Sequence, residues 1–354
     1  MAAIQRDNRA LAAAATFGVV AVAGLLYVKW LPYWNRAFVA AAHHAIGKSI
    51  LMGAADRPPA PSLDAAVAYA LAYGKAIWQA MVLGLLLGSG VQALLPADGV
   101  RRLLGGRGFG SALAGGLLAL PGMMCTCCAA PVVVGLRRQR AAAGSAIAFW
   151  LGNSVLNPAT LVFIGFVLGW KWTALRLALG VPMVFGLGYA ANRMTSPAEA
   201  AEVEVEVEIA TTTATPAPRE GPFRRWLRLF VSMALRIVPE YLVIVLLLGA
   251  ARAWLFPAIG PEIGNQLVWV AAFAVAGMLF VIPTAGEAPI IQAMLALGMG
   301  VGPAGALLMT LPPVSVPSLA IVVRSFPARL LGLVALAVVL FGLAAGGLAV
   351  ALDF

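Results

Sequence analysis

The chain has 354 residues, of which 62% are hydrophobic and 11% charged. Soluble globular proteins carry about a quarter charged residues, so the charge available here cannot hydrate a free surface and a soluble fold is excluded. The formal net charge of +10 does not indicate nucleic-acid binding: the bases cluster at the ends of apolar runs, with no contiguous basic face interleaved with stacking aromatics. Such a pattern suits anionic lipid and cytoplasmic loops.

Residues 11–28, 77–97 and 330–352 contain no charged residue, and 238–251 contain only Glu240. A helix crossing roughly 30 Å of hydrocarbon needs about 20 apolar residues. Barrel strands would alternate polar and apolar positions over about ten residues, and these runs do not alternate. The expected fold is therefore all-α and polytopic, a multi-pass protein of the cell inner membrane with about 8–10 membrane segments.

In chain order, residues 1–62 read as an N-terminal anchor and interfacial segment. Arg6 and Arg9 precede the first run, which is too long for a signal-peptide core. Pro58, Pro59 and Pro61 stop any helix before residue 63. Residues 63–193 read as a first membrane repeat. In it, residues 109–136 are interrupted at Pro121-Gly122 and Pro131, and residues 141–169 at Asn157-Pro158. Residues 194–222 alternate Glu with Val and then run into Thr and Pro. They read as a flexible acidic linker, because a lone strand with like charges on one face has nothing to pair with. Residues 223–354 read as a second repeat, interrupted at Pro283, Pro289 and Pro312-Pro313.

The two halves align on their breaks. Laid over one another, residues 125–131 and 283–289 share Thr126 with Thr284 and Ala130-Pro131 with Ala288-Pro289. Interrupted hydrophobic segments at corresponding places in two halves point to a transporter's binding site. Proline removes a backbone donor, and in hydrocarbon the freed carbonyls must find protein, water or substrate.

Candidate substrate-binding residues follow from those breaks. Glu287 lies deep in an apolar stretch, where an ionised carboxylate costs several kcal/mol unless partnered or protonated. It fits a proton-coupling carboxyl, a cation ligand or an acid at the start of the next helix. Cys125, Cys127 and Cys128 are the chain's three cysteines. On a regular helix Cys125 and Cys128 share a face while Cys127 points away; in an unwound segment all three sulfurs could converge as a metal or soft-ion site. Asn153 and Asn157, four residues apart, and Thr284 and Ser315 supply further polar groups. No phosphate-binding glycine loop or His-Glu-x-x-His motif is present, so no cofactor is expected beyond proton coupling.

The run Cys125-Thr126-Cys127-Cys128-Ala129-Ala130-Pro131, continuing to Arg137-Arg138, resembles the predicted-permease family that includes the ArsP organoarsenical efflux permeases. Pro283, Glu287 and Pro289 resemble its second-half version, and the likeness extends over residues 69–347. Thr126 and Cys128 stand where the family usually has Ser and Gly. The resemblance implies a secondary transporter, not an enzyme, exporting a small soft-metal or trivalent organoarsenical solute. Two other readings stay open: a thiol-dependent membrane enzyme, and a noncatalytic subunit of a membrane complex.

Overall fold

A computed structural model describes residues 2–52, 58–195, 221–256 and 260–354, with side chains from residue 12 onward. Most of the expected acidic linker thus lies outside the described residues. The protein is an all-α polytopic membrane protein.

Helix α1 (Ala2–Leu25) continues through a π-helical turn at Leu26–Trp30 into α2 (Leu31–His43). The long helix α3 (Leu63–Leu94) follows, opened by the Ser62 hydroxyl accepting from the Ala65 amide. After it come α4 (Ala97–Leu104), α5 (Phe109–Ala119), α6 (Thr126–Arg138), α7 (Ala143–Val155), α8 (Pro158–Val167) and α9 (Trp170–Met194). The remaining helices are α10 (Pro222–Leu255), α11 (Leu267–Leu279), α12 (Glu287–Ala296), α13 (Val301–Thr310), α14 (Val316–Val322) and α15 (Ala328–Ala351).

Among the described residues, six helical stretches are long and apolar enough to cross a bilayer, and a seventh if α4 and α5, bent by 114°, count as one. This is fewer than the 8–10 segments expected. The difference lies in the interrupted stretches: α6 and α11 have 13 residues, α12 and α13 have 10, and α14 has 7. At about 1.5 Å per residue, none of these alone spans about 30 Å.

Hydrogen bonds at their ends fix the directions of the short helices. The Ala142 amide and the Ser145 hydroxyl both donate to the Leu104 carbonyl, at 2.8 and 2.6 Å. Gln139, at the end of α6, donates to the carbonyls of Val91 and Gln92 at 3.0 Å. Helix α6 therefore returns to the membrane end from which α5 departed. Likewise the Gly300 amide donates to the Ile263 carbonyl at 2.7 Å, and the Gly302 amide to Asn265 Oδ1 at 2.9 Å. So α12 returns to the end from which α11 departed.

The two returning hairpins open at opposite ends of the molecule. Arg329 at the start of α15 donates to the Met194 carbonyl at the end of α9, 3.0 Å away, and Trp172 at the start of α9 packs edge-to-face with Phe354, ring centroids 4.9 Å apart. Helices α9 and α15 are therefore antiparallel. Arg137 donates to the Ser325 carbonyl at 3.1 Å, which puts the open end of the first hairpin beside the start of α15. A Cβ on Gly302 would touch Val350, which puts the open end of the second beside the end of α15.

Close approach at the centre depends on α3 glycines. A Cβ on Gly84 would strike the Cys128 carbonyl, and one on Gly88 the Pro131 carbonyl. Helix α6 thereby packs on α3 backbone to backbone, the geometry small residues permit in apolar surroundings. The sequence suggests Tyr69 and Tyr73 near an interface; both are instead buried to 1% exposure, because they pack on Phe280 and Tyr241.

Candidate functional site

The four helix breaks meet in one buried polar cluster. At the tip of the first hairpin, Pro121 and Gly122 sit in a single 3-10 turn, Met123 adopts φ +47°, and Cys125 is extended before α6 begins. At the tip of the second, Ala285 adopts φ +66° and the Gly286 amide donates to the Pro283 carbonyl at 2.9 Å. A non-glycine residue in the left-handed region costs about 1–2 kcal/mol, so each tip carries a local strain that its surroundings hold in place.

The breaks leave backbone groups that side chains then satisfy. Pro158 has no N–H, so the Ser154 carbonyl four residues earlier loses its helical donor. Arg176 of α9 supplies the replacement, donating to the Ser154 carbonyl at 2.6 Å and to the Val155 carbonyl at 3.0 Å. Asn157 caps α8 by accepting from the amides of Ala159 and Thr160 at 3.1 and 3.3 Å. In the second half, Ser315 and Ser318 form a capping box at the start of α14. Trp150 donates to the Thr126 carbonyl at 3.1 Å, and Trp30 to the Pro121 carbonyl at 2.8 Å.

Of the residues singled out from sequence, Cys125, Thr284, Glu287 and Ser315 line the central cavity, together with Ser154 and Thr160. That cavity has about 10 Å³ of free volume, room for about one water. Asn153 and Asn157 are fully buried but lie behind its wall. Each keeps one polar atom without a protein partner, Asn153 Oδ1 and Asn157 Nδ2.

The thiols do not converge as a set of three. Cys125 and Cys128 Sγ lie 3.0 Å apart, whereas Cys127 Sγ is 3.4 Å from Ser315 Oγ and faces Tyr73 and Tyr241. Because α6 is regular from Thr126, positions three apart share a face and Cys127 turns away. Among the described residues no group of three or more His, Cys, Asp or Glu side chains is arranged to hold a metal ion. The expected three-thiol ligand set is thus a pair plus a single thiol.

Glu287 is partnered. Its carboxylate lies 2.5 Å from Arg176 Nη1, and the two side chains are 2% and 0% exposed. This clamp joins α9 to α12 and was not legible in the sequence, because Arg176 stands in what reads as a plain span. Lys29 was missed for the same reason. It is 3% exposed, and its ammonium donates to the Tyr33 hydroxyl at 3.1 Å and to Thr284 Oγ1 at 3.3 Å. It also interacts electrostatically with Cys125 and Cys128, so the thiols have a basic neighbour distant in sequence.

Beside the central cluster, and sharing Pro283, Thr284 and Ala285 with it, opens a second cavity of about 710 Å³ between the π turn, α2, α3 and the loop at residues 46–50.

Residues 63–348 match the ArsP_1 family, described as a predicted permease. The chain is 49% identical over 337 residues to UPF0718 protein YraQ of Escherichia coli (strain K12), covering 95% of this chain and 94% of that protein. It is also 34% identical over 104 residues to UPF0718 protein MJ0584 of Methanocaldococcus jannaschii, covering 28% of each chain. No solved structure matches. With its helix breaks gathered round a buried polar cluster and a family match over residues 63–348, the chain belongs to the ArsP_1 (UPF0718) family of membrane permeases.

Proposed function

We propose that the protein is a secondary transporter of the bacterial inner membrane that exports a small thiophilic solute by alternating access, with the cluster at the four helix breaks as its binding site. The single observation that carries the reading is the meeting of Cys125, Ser154, Thr284, Glu287 and Ser315, drawn from four separate breaks, in one buried pocket. Irregular backbone at membrane depth is tolerated where protein or a cavity shelters it, and transporter sites are built from such discontinuous helices.

The halves are proposed to be an inverted repeat. Support comes from matched packing: α5 contacts α7 and α9, as α11 contacts α13 and α15, while α6 contacts α14 and α12 contacts α8. The opposite openings of the two hairpins add to it. Rocking one half against the other would expose the cluster to each side in turn. Arg101, Arg138 and Arg329 lie at the end where the first hairpin opens, and by the bias of Lys and Arg toward cytoplasmic loops that end faces the cytoplasm.

The Cys125–Cys128 pair favours a soft solute, since thiolates select soft ions, and a trivalent organoarsenical is the class proposed. Glu287 is proposed to move a proton when its pairing with Arg176 is disrupted during the cycle. The test is flux of trivalent methyl- and phenylarsenicals in proteoliposomes, with and without a proton gradient. Flux that is absent for both compounds, while the protein remains folded, would overturn the arsenical assignment.

A further inference from the structure

The large cavity beside the site is cationic. Lys29, Arg36, Lys48 and Lys75 line it, and among the described residues its lining contains no carboxylate. Arg36, Lys48 and Lys75 are exposed, and none of them has an ion-pair partner among the described residues. Lys29 is buried at the inner limit of this set. An ammonium has three donors; two of Lys29's reach the neutral hydroxyls of Tyr33 and Thr284. A buried cation paired with no carboxylate is costly unless another negative charge offsets it, and the acidic groups acting on Lys29 are the Tyr33 phenol and the thiols of Cys128 and Cys125.

Position makes the arrangement directional. Three of the cations are exposed, and the fourth, buried, touches Thr284, which also lines the central cluster. Low-dielectric walls around charges of one sign focus the field and raise the local concentration of the opposite charge. Lys29 sits in the π turn Leu26–Trp30, and such wide turns gather at functional sites. Lys29, Arg36 and Lys48 all precede residue 63, where the match to the family begins. The helices carrying the thiols therefore do not by themselves specify this lining.

We propose that this cavity is an anion vestibule that binds a compact oxyanion at Lys29 and Thr284, apart from the thiophilic solute held at the Cys125–Cys128 pair. The proposal goes beyond the permease reading, and the vestibule can be tested without transport. The same chemistry could be presented by a free anion or by the phosphate of an anionic lipid headgroup.

Ala76 lines the cavity and gives a reporter position. The Ala76→Cys full-length chain is placed in vesicles of zwitterionic phosphatidylcholine, and its alkylation is timed with an anionic and a cationic methanethiosulfonate reagent. The rate of the parent chain is subtracted. The expected result is preference for the anionic reagent, reduced at least about tenfold by Arg36→Gln, Lys48→Gln and Lys75→Gln together. These three side chains are exposed, so folding should survive their replacement. Sulfate or phosphate that slows the anionic reagent, with the effect lost in Lys29→Met and kept in Lys29→Arg, identifies a free anion. Protection that appears only when phosphatidylglycerol replaces phosphatidylcholine identifies a headgroup. Equal reactivity toward both reagents before and after neutralisation, with no protection by either source, overturns the vestibule. Counterflow of labelled sulfate or phosphate is read in parallel: protection without flux leaves the anion site standing and shows that the bound oxyanion is not itself transported.

Discussion

Arg176 Nη1 and the Glu287 carboxylate meet at 2.5 Å, with both side chains withdrawn from solvent, and the same guanidinium holds the Ser154 carbonyl that Pro158 leaves without a donor. One arginine thus repairs the break between α7 and α8 and ties it to the first residue of α12. Removing one partner of a buried pair typically costs about 3–5 kcal/mol, because the other charge is left uncompensated. Arg176→Met should destabilise more than Glu287→Gln, since it also releases two carbonyls. Thermal unfolding of the two single variants and the double variant in detergent provides the check. A double variant as unstable as the sum of the singles would show that the two residues are not coupled.

If Glu287 carries the coupling proton, Glu287→Gln should abolish solute accumulation driven by a proton gradient while leaving solute counterflow. Both are measured in the same proteoliposomes. Accumulation that survives the substitution would exclude the carboxyl from coupling.

The thiol geometry separates the three cysteines. A trivalent phenylarsenical that bridges two sulfurs should be retained by Cys127→Ser and lost, by at least about tenfold in affinity, in Cys125→Ser and in Cys128→Ser. Two thiolates hold a soft ion far better than one thiolate and a hydroxyl. Isothermal titration with the arsenical distinguishes the cases. Equal weakening by all three substitutions would argue for a three-sulfur set in some other conformation.

Packing at Gly84 gives a purely structural prediction. Gly84→Ala places a methyl against the Cys128 carbonyl, and overpacking of this kind costs about 1–3 kcal/mol. Gly332→Ala, whose Cβ meets nothing within 4 Å, should leave the unfolding midpoint unchanged or slightly raised. No loss of stability in Gly84→Ala would mean that contact with α6 does not govern this α3 glycine, since helix propensity alone favours alanine.

Asn157→Ala should cost about 1 kcal/mol through loss of the cap on α8, with a further effect on flux if the free Nδ2 serves the solute. Asn157→Ser keeps a capping oxygen and removes the amide donor. Unchanged transport in Asn157→Ser would limit Asn157 to capping.

The sequence was most legible where a single residue type imposes its own physics. Pro121-Gly122, Asn157-Pro158 and Pro283 mark interruptions because proline removes a donor whatever surrounds it, and the helices do break at these places. Pro131 shows the limit of that reasoning. It lies inside α6 without ending it, because the backbone of α6 is held against Gly84 and Gly88 of α3. Lys29 and Arg176 were not legible as site residues. A lone base in an apolar run reads the same whether it snorkels to an interface or turns inward, and only the neighbouring chain decides which.

Composition and the spacing of prolines by themselves determined a helical membrane protein with paired interruptions, since apolar length sets what a bilayer accepts and a missing N–H cannot be restored locally. Which side chains share the centre was decided by tertiary structure alone. Residues as far apart as Cys125 and Thr284 meet because hairpins opening at opposite ends bring their tips together, with Lys29 reaching Thr284 from the π turn, and charge pairing such as Arg176 with Glu287 depends on distance through space, which sequence order does not encode.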